Sequence, residues 1–329
     1  MLRWGVLSTA KIGREHVIPA ICAADDNVLS AVASRDAEAA RTLADRFGAP
    51  HAFSSYEALL DSDQVDAVYI PLPTAMHVEW AEKSARAGKH VLCEKPIALK
   101  ASEIDRLIAT RDETGVLISE AFMVTYHPQW HKVRELIEGG AIGTLRQVDA
   151  AFTYFNRDAG NMRNVPELGG GVIPDIAVYP TVTTRFATGK EPQRISATVD
   201  FDPGFGTDRY ASVRADYGSF EQSFYISTQM AQRQTIAFHG DKGFIELTAP
   251  WNSNLYEGDE VRLHNQDHRK TDIFRYTGID QYRLEIEAFG KAIETGEREP
   301  IFSLEDSVKN QRVIDAIYRA GEEGGWVEV

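Results

Sequence analysis

The sequence predicts a mixed α/β protein in two parts: a doubly wound parallel sheet first, then an α+β domain built on a large, mostly antiparallel sheet. Two observations predict it. From residue 2 to about residue 120, short β-branched runs alternate with helical patterns, and beyond that point strand-like runs follow one another with few helices between them. The first rhythm means βαβ units and the second an extended sheet.

Leu2–Leu7, Val28–Ala33, Ala67–Pro71, His90–Cys93 and Val116–Ser119 read as the parallel strands. The helices between them carry ordinary boundaries: Ala37–Phe47 closes at Gly48, Tyr56–Leu60 is short, Ala75–Ala87 closes at Gly88, and Ser102 is placed to cap Ile104–Arg111. Next comes a helix at His131–Glu138, ended by Gly139-Gly140. Strands are expected at Arg146–Tyr154, Arg194–Asp200, Ala211–Tyr217, Ser219–Ser227, Gln234–His239 and Gly243–Leu247, with a hairpin turn at Gly240-Asp241-Lys242-Gly243. Gln281–Glu294 and Leu304–Ala320 read as late amphipathic helices. The change of rhythm puts a boundary after Ala121, giving domains 1–121 and 122–329.

The bulk properties exclude several function classes. A net charge of −14 and a pI near 5.1 argue against a nucleic-acid backbone or an anionic membrane as the main partner, because both need a positive footprint. No apolar run is long enough to span a bilayer, and Met1–Leu7 is too short for a secretory signal. Cys22 and Cys93, the 2 cysteines, lack metal-ligand spacing, so neither a disulfide framework nor a metal site is expected. A small soluble ligand and a reducing cytoplasm fit best.

The chemistry begins after the first strand. Ser8-Thr9-Ala10-Lys11-Ile12-Gly13 opens a helical segment where a Rossmann fold places its phosphate loop. The glycine fingerprint is degraded, with Ser8 and Ala10 where the first two glycines belong and Gly13 at the third. Small residues still admit close backbone approach, and Ser8 or Thr9 adds a hydroxyl donor to the exposed amides of a helix N-terminus. The alternative is a plain strand-to-helix turn. About twenty residues on, where an NAD enzyme carries an acid for the ribose hydroxyl, the second strand ends in Ser34-Arg35-Asp36. Ser34 and Arg35 suit a 2′-phosphate, which favours NADP over NAD, although Asp36 stands just beyond; an exposed arginine heading the next helix is the alternative. Pro71-Leu72-Pro73 stops the third strand and stiffens the loop passing the cofactor, Thr74 is placed to cap the next helix, and His77 reads as a neutral, hydrogen-bonding histidine of that cofactor edge with no catalytic part.

Glu94-Lys95-Pro96 follows the fourth strand at the carboxyl edge of the sheet, where open α/β folds bind ligands. Partly desolvated beside a nicotinamide, Lys95 would suit proton exchange with a hydroxyl, and Glu94 would orient it or meet the ribose; on spacing alone a surface lysine is the alternative. Further on, Gly169-Gly170-Gly171 runs into a helical turn that carries Asp175 and Tyr179, four residues apart and so on one helix face. A capped helix with a packed tyrosine is the alternative.

With these motifs in this order, the chain resembles the Gfo/Idh/MocA oxidoreductase family over essentially its whole length. The most specific parts are the E-K-P tripeptide and the G-G-G-x-x-x-D-x-x-x-[HY] stretch. The resemblance implies that Lys95 contacts substrate and cofactor, that Asp175 orients the substrate, and that Tyr179 stands where many members carry an acid/base histidine. Tyrosine there is similar to the branch containing glucose–fructose oxidoreductase, dimeric dihydrodiol dehydrogenase and NADP-dependent xylose dehydrogenase. It further implies a polyol, sugar or cyclic diol substrate and a homodimer or homotetramer formed through the C-terminal sheet. Thr125 departs from the family's frequent arginine, and Tyr126 and His127 beside it are candidate substrate-pocket residues, with aromatic packing as the alternative. Two other functions are compatible with the fold: an NAD-dependent glycosidase-like enzyme and a non-catalytic dinucleotide sensor.

Overall fold

β1 (Leu2–Leu7) shows why a parallel sheet forms here, because its residues are buried on both faces. Trp4 and Val6 join one apolar cluster with Ile18, Ile21 and Phe289; Leu7 joins another with Leu59, Trp80 and Ile104. β2 (Asn27–Ala33), β3 (His51–Phe53), β4 (Ala67–Ile70), β5 (His90–Glu94) and β6 (Ile118–Ala121) complete a 6-stranded sheet in the order β3-β2-β1-β4-β5-β6, with every pair parallel. The computed structural model describes residues 1–253, 255 and 258–329.

The helices begin and end where local chemistry dictates. α1 (Ile18–Ala23) continues a helical path that starts at Lys11 and passes through a π-type turn at Gly13–Val17. α2 (Ala37–Phe47) is capped by Asp36, whose carboxylate accepts from the amides of Glu38 and Ala39, and closes at Gly48 with φ +72°. α3 (Tyr56–Leu60) is capped by Ser55, and α4 (His77–Arg86) follows a 3₁₀ turn at Thr74–Met76. Thr74 is therefore the first residue of that turn rather than the cap of the helix. α5 (Ala101–Thr114) corrects another expected cap: Ser102 lies inside the helix, and Glu103 accepts from the amides of Leu99 and Lys100 at 3.0 Å each.

The chain divides into two units, Met1–Tyr126 with Asp280–Val308 and His127–Ile279 with Lys309–Val329. In the first unit α8 (Gln281–Thr295), capped by Asp280, places Phe289 5.3 Å from Trp4 by ring centroid and adds Ile286 and Ala292 to the same cluster. Residues 280–308, assigned from sequence to the C-terminal domain, thus complete the first core. Leu304 begins α9 (Leu304–Glu323).

The second unit contains α6 (Pro128–Glu138), α7 (Val178–Thr188) and a 9-stranded sheet. Its strands are β7 (Leu145–Phe155), β8 (Arg194–Phe201), β9 (Asp208–Asp216), β10 (Glu221–Ser227), β11 (Gln229–Gly240), β12 (Gly243–Leu247), β13 (Asp259–Asn265), β14 (Thr271–Tyr276) and β15 (Val327–Glu328). Their order is β14-β13-β12-β11-β7-β10-β9-β8-β15, and only β7–β10 is parallel. Alternation sorts the side chains: Val148, Phe224, Ile236 and Ile245 are buried, while Asp149, Tyr225, Thr235 and Glu246 line the opposite face. Asp241-Lys242 makes the expected hairpin turn. β3, β13, β14 and β15 were not anticipated, and because of β3 the Glu94-Lys95-Pro96 segment follows the fifth strand, not the fourth.

Phe289 is fully buried against Trp4, so Phe289→Ala should remove about 3–5 kcal/mol of stability. Urea unfolding followed by tryptophan fluorescence reads this; a loss below about 1 kcal/mol would show that α8 is not part of the first unit's core.

Candidate active site

The N-terminal unit brings the predicted phosphate loop and the Lys95 segment to one edge of its sheet. Ser8 leaves β1 with φ +116°, a region that side chains rarely enter and that the fingerprint's first glycine would tolerate. Its own hydroxyl holds it there, donating to the Pro71 carbonyl at 3.3 Å and accepting from the Ala10 amide at 3.2 Å. Thr9 offers its carbonyl to Arg14, and Lys11 pairs loosely with Glu15 at 3.7 Å on the exposed side. Ile12 precedes Gly13, whose missing side chain leaves ordinary contact distance to Tyr69 and Pro71. A strand-to-helix turn with small residues and free helical amides fits a dinucleotide pyrophosphate.

At the end of β2, Ser34 is buried and its hydroxyl accepts from the Asp36 amide, whereas Arg35 is exposed and its charge acts on the phenol of Tyr56. Asp36 caps α2 through one carboxylate oxygen, Oδ1, which accepts from both amides.

Pro71-Leu72-Pro73 and the Lys95 turn are joined through His77. Its ring is buried, with Nδ1 2.8 Å from the Pro96 carbonyl and Nε2 2.7 Å from the Leu72 carbonyl. Burial lowers its pKa, as a neutral ring requires, while the two carbonyls pull the other way, because a neutral imidazole can donate to only one of them. The Lys95–Pro96 peptide is cis. Glu94 accepts a 2.6 Å hydrogen bond from Tyr69 and a 3.3 Å bond from the Lys95 amide.

Two further carboxyls lie at this edge that sequence reasoning missed. Glu120, at the end of β6, accepts from the Ile97 amide at 3.0 Å; burial pushes its pKa up to about 7, while Ser307, Ile97 and the charge of Lys95 hold it down. Glu285 on α8 is buried, and burial together with the charge of Glu94 pushes it well above the carboxylate range. Glu120 sits next to Ala121 in an apolar stretch, and Glu285 is distant in sequence, so neither stood out as a site residue.

In the C-terminal unit Asp175 and Tyr179 act on the same two side chains, Tyr154 and Arg163. Asp175 lies in a π-type turn at Ile173–Ala177 and Tyr179 in the first turn of α7. One carboxylate oxygen of Asp175, Oδ2, accepts from both Tyr154 Oη at 2.6 Å and Arg163 Nε at 2.8 Å. Tyr154 and Arg163 were not predicted. Tyr179 is only 7% exposed, packed near Phe152 and Trp251 with ring centroids 5.5 and 6.4 Å away. Burial first, then the charge of Asp175, drives the Tyr154 phenol well above its usual range, and that same charge raises Arg163. Thr125 and Tyr126 are buried; Tyr126 accepts from the Phe302 amide at 3.4 Å. His127 is fully buried, its Nδ1 accepting from the Gln129 amide at the start of α6 and its Nε2 3.2 Å from Asp259.

Residues 2–122 match the model described as an oxidoreductase family with an NAD-binding Rossmann fold, and residues 130–246 match the GFO/IDH/MocA C-terminal domain. The chain belongs to the Gfo/Idh/MocA family. This member is 39% identical to an uncharacterized oxidoreductase of Rhizobium meliloti, over 100% of this chain and 99% of the other. It is 37% identical to the NADP-dependent D-xylose 1-dehydrogenase 2 of Haloferax volcanii, covering 100% of both chains. Among solved structures it is similar to KijD10, a 3-ketoreductase from Actinomadura kijaniata in complex with NADP and TDP-benzene, with TM-score 0.90, 30% identity and 97% of each chain covered. It is an oxidoreductase carrying the family's dinucleotide-binding fold.

Because burial raises the Glu120 carboxyl from 4.5 to about 7, the folded chain binds this proton more tightly than the unfolded chain does. The stability it contributes is complete below the unfolded value and is lost as pH rises through the folded one, at most about 3 kcal/mol for a shift of this size. Thermal midpoints of wild type and Glu120→Gln, compared between about pH 5 and 8, should diverge in the variant's favour as pH rises; parallel curves would show an ordinary carboxyl.

Proposed function

We propose that this family member is an NADP-dependent oxidoreductase that moves a hydride between nicotinamide and a CHOH or C=O group of a sugar, sugar derivative or related cyclic diol. The observation that carries the reading is a buried Tyr179 phenol that shares its neighbours Tyr154 and Arg163 with an Asp175 carboxylate fixed by those two donors. A carboxylate so held is an orienting group for hydroxyls, which leaves the phenol for proton exchange. The relative from Haloferax volcanii, named for D-xylose and NADP, supports the same substrate class.

In this mechanism Tyr179 exchanges the proton of the reacting hydroxyl. Tyrosine's reference pKa is about 10, so it needs a nearby cation at neutral pH, and Lys95 lowers it or relays the proton. Asp175 orients the substrate hydroxyls. When bound, the nicotinamide takes up or delivers the hydride. Ser8, Thr9, Ala10, Lys11, Ile12 and Gly13 would receive the pyrophosphate, Pro71, Leu72, Pro73 and His77 would shape the nicotinamide side, and Glu94 would bond the ribose or orient Lys95. Ser34 and Arg35 would take the 2′-phosphate, and Asp36, one oxygen of which caps α2, stays beside them as a carboxylate, so the preference for NADP over NAD rests on Ser34 and Arg35.

Unpaired Cys22 and Cys93 fit a reducing cytoplasm. Among the described residues no helix is long and apolar enough to cross a membrane. The polar open face of the large sheet is the surface through which copies of the chain would associate as a homodimer or homotetramer, which sedimentation would reveal.

Reduced-nicotinamide absorbance with NADP or NAD, against aldoses, inositols and dihydrodiols in both directions, tests the reading. Turnover with NADP is expected; silence despite demonstrated NADP binding would overturn it. Tyr179→Phe should lower kcat by about 10²–10⁴-fold with dinucleotide affinity nearly unchanged, and Lys95→Ala at least as much; unaltered turnover in Tyr179→Phe would remove that residue from the mechanism. Arg35→Ala should weaken NADP by about 10-fold or more while sparing NAD, as loss of charge-assisted bonds to a phosphate requires.

A further inference from the structure

The Gly169–Gly171 stretch is crowded beyond what a turn needs. A Cβ on Gly170 would stand 2.6 and 2.7 Å from the carbonyl oxygens of Arg163 and Met162, and one on Gly171, at φ +130°, would collide with the Asp208 carboxylate. That carboxylate is buried and already engaged, accepting from the Ile173 amide at 2.7 Å and from Tyr318 at 2.7 Å. The Gly171 amide donates to the Arg163 carbonyl at 2.9 Å, and the Gly170 amide to Val165 at 3.1 Å. The glycines therefore clamp the backbone of residues 162–165, and the side chain that this clamp delivers to Asp175 is that of Arg163.

Arg163 is held from its other side too. Asn161 accepts from the Arg163 amide at 3.1 Å, and Asn164 donates to the Asp158 carbonyl at 2.8 Å, which closes the loop on itself. Its side chain as a whole is 41% exposed. The charged and titratable groups meeting there are Asp175 from the π-type turn, Tyr154 from β7 and Tyr179 from α7, whose phenol acts on both Arg163 and Tyr154.

We propose that Arg163 is a positioning residue for the reaction, fixing Asp175 in one orientation and cancelling its negative charge beside the Tyr179 hydroxyl. The inference rests on the role given to Tyr179 above. A carboxylate close to a phenol opposes formation of the phenolate, because like charges repel, and a cation bound to that carboxylate removes the opposition. Arg163 exchanges no proton in this role. It preserves a usable Tyr179 while Asp175 orients substrate.

The test compares Arg163→Met and Arg163→Lys with wild type, each also in a Tyr179→Phe background. Alkaline titration of tyrosinate absorbance, taken as the part lost in Tyr179→Phe, reads Tyr179 directly and needs no turnover. Arg163→Met should move that component up by about a unit or more, and Arg163→Lys should restore most of it. With NADP and D-xylose, the rise of kcat/KM with pH should move in the same direction, which at neutral pH is roughly a tenfold loss. NADP affinity, followed by fluorescence, should be unchanged and so report that the fold is intact. An unmoved Tyr179 component, or a rate lowered equally at every pH, would overturn the proposal. Absence of wild-type turnover with every sugar and diol would instead overturn the functional reading, leaving the titration to judge Arg163.

Discussion

Both faces of the six-stranded sheet are sealed from water, which obliges polar side chains near its carboxyl edge to find partners inside the protein. Much of the local arrangement follows. Tyr69 emerges on a buried face and meets Glu94; His77 enters between two backbone carbonyls; Glu120 takes the Ile97 amide. Each contact binds one crossover to another: β4 to β5 through Tyr69 and Glu94, the Leu72 loop to Pro96 through His77, and β6 to the segment after Pro96 through Glu120. An edge made of separate loops is thereby held as one piece, the condition that precise positioning of any bound group would require.

The C-terminal unit meets its constraint differently, since its sheet is apolar on one face only. There precision comes from a loop packed against glycines rather than from a sandwiched strand. Gly170 and Gly171 admit no side chain, and the space they leave is filled by main-chain oxygens and the Asp208 carboxylate. Asp175 then presents an oxygen that already has two donors, one neutral and one charged, so its position is decided before any ligand arrives.

The parallel strands were legible because a strand buried on both faces must be a continuous apolar run, and the βαβ rhythm followed from that. His51–Phe53 escaped because three half-buried residues carry no period. Asp259–Asn265 was findable, since Val261 and Leu263 alternate with Arg262 and His264, whereas Thr271–Tyr276 places Ile273 beside Phe274 and shows no clean period. That Gln281–Thr295 is a helix was plain, but that its Phe289 belongs with Trp4 is a tertiary fact with no local signature. At the site, the spacing of Asp175 and Tyr179 was readable, whereas Arg163 sits in a single 3₁₀ turn, Met162–Asn164, too short to show a pattern. Tyr154 could have been found, since strand alternation places it on the same face as Phe152, the residue packed on Tyr179.

The distribution of sulfur has a practical side. Cys93 is enclosed beneath the sheet, its Sγ 4.0 Å from the Ile70 carbonyl, while Cys22 lies exposed on the helix that continues from the phosphate loop. Partial burial raises the Cys22 thiol, so conjugation calls for mildly alkaline buffer. A maleimide dye would then decorate the unmodified chain at a single defined point at the C-terminal end of α1, providing a fluorescent reporter without any engineered cysteine.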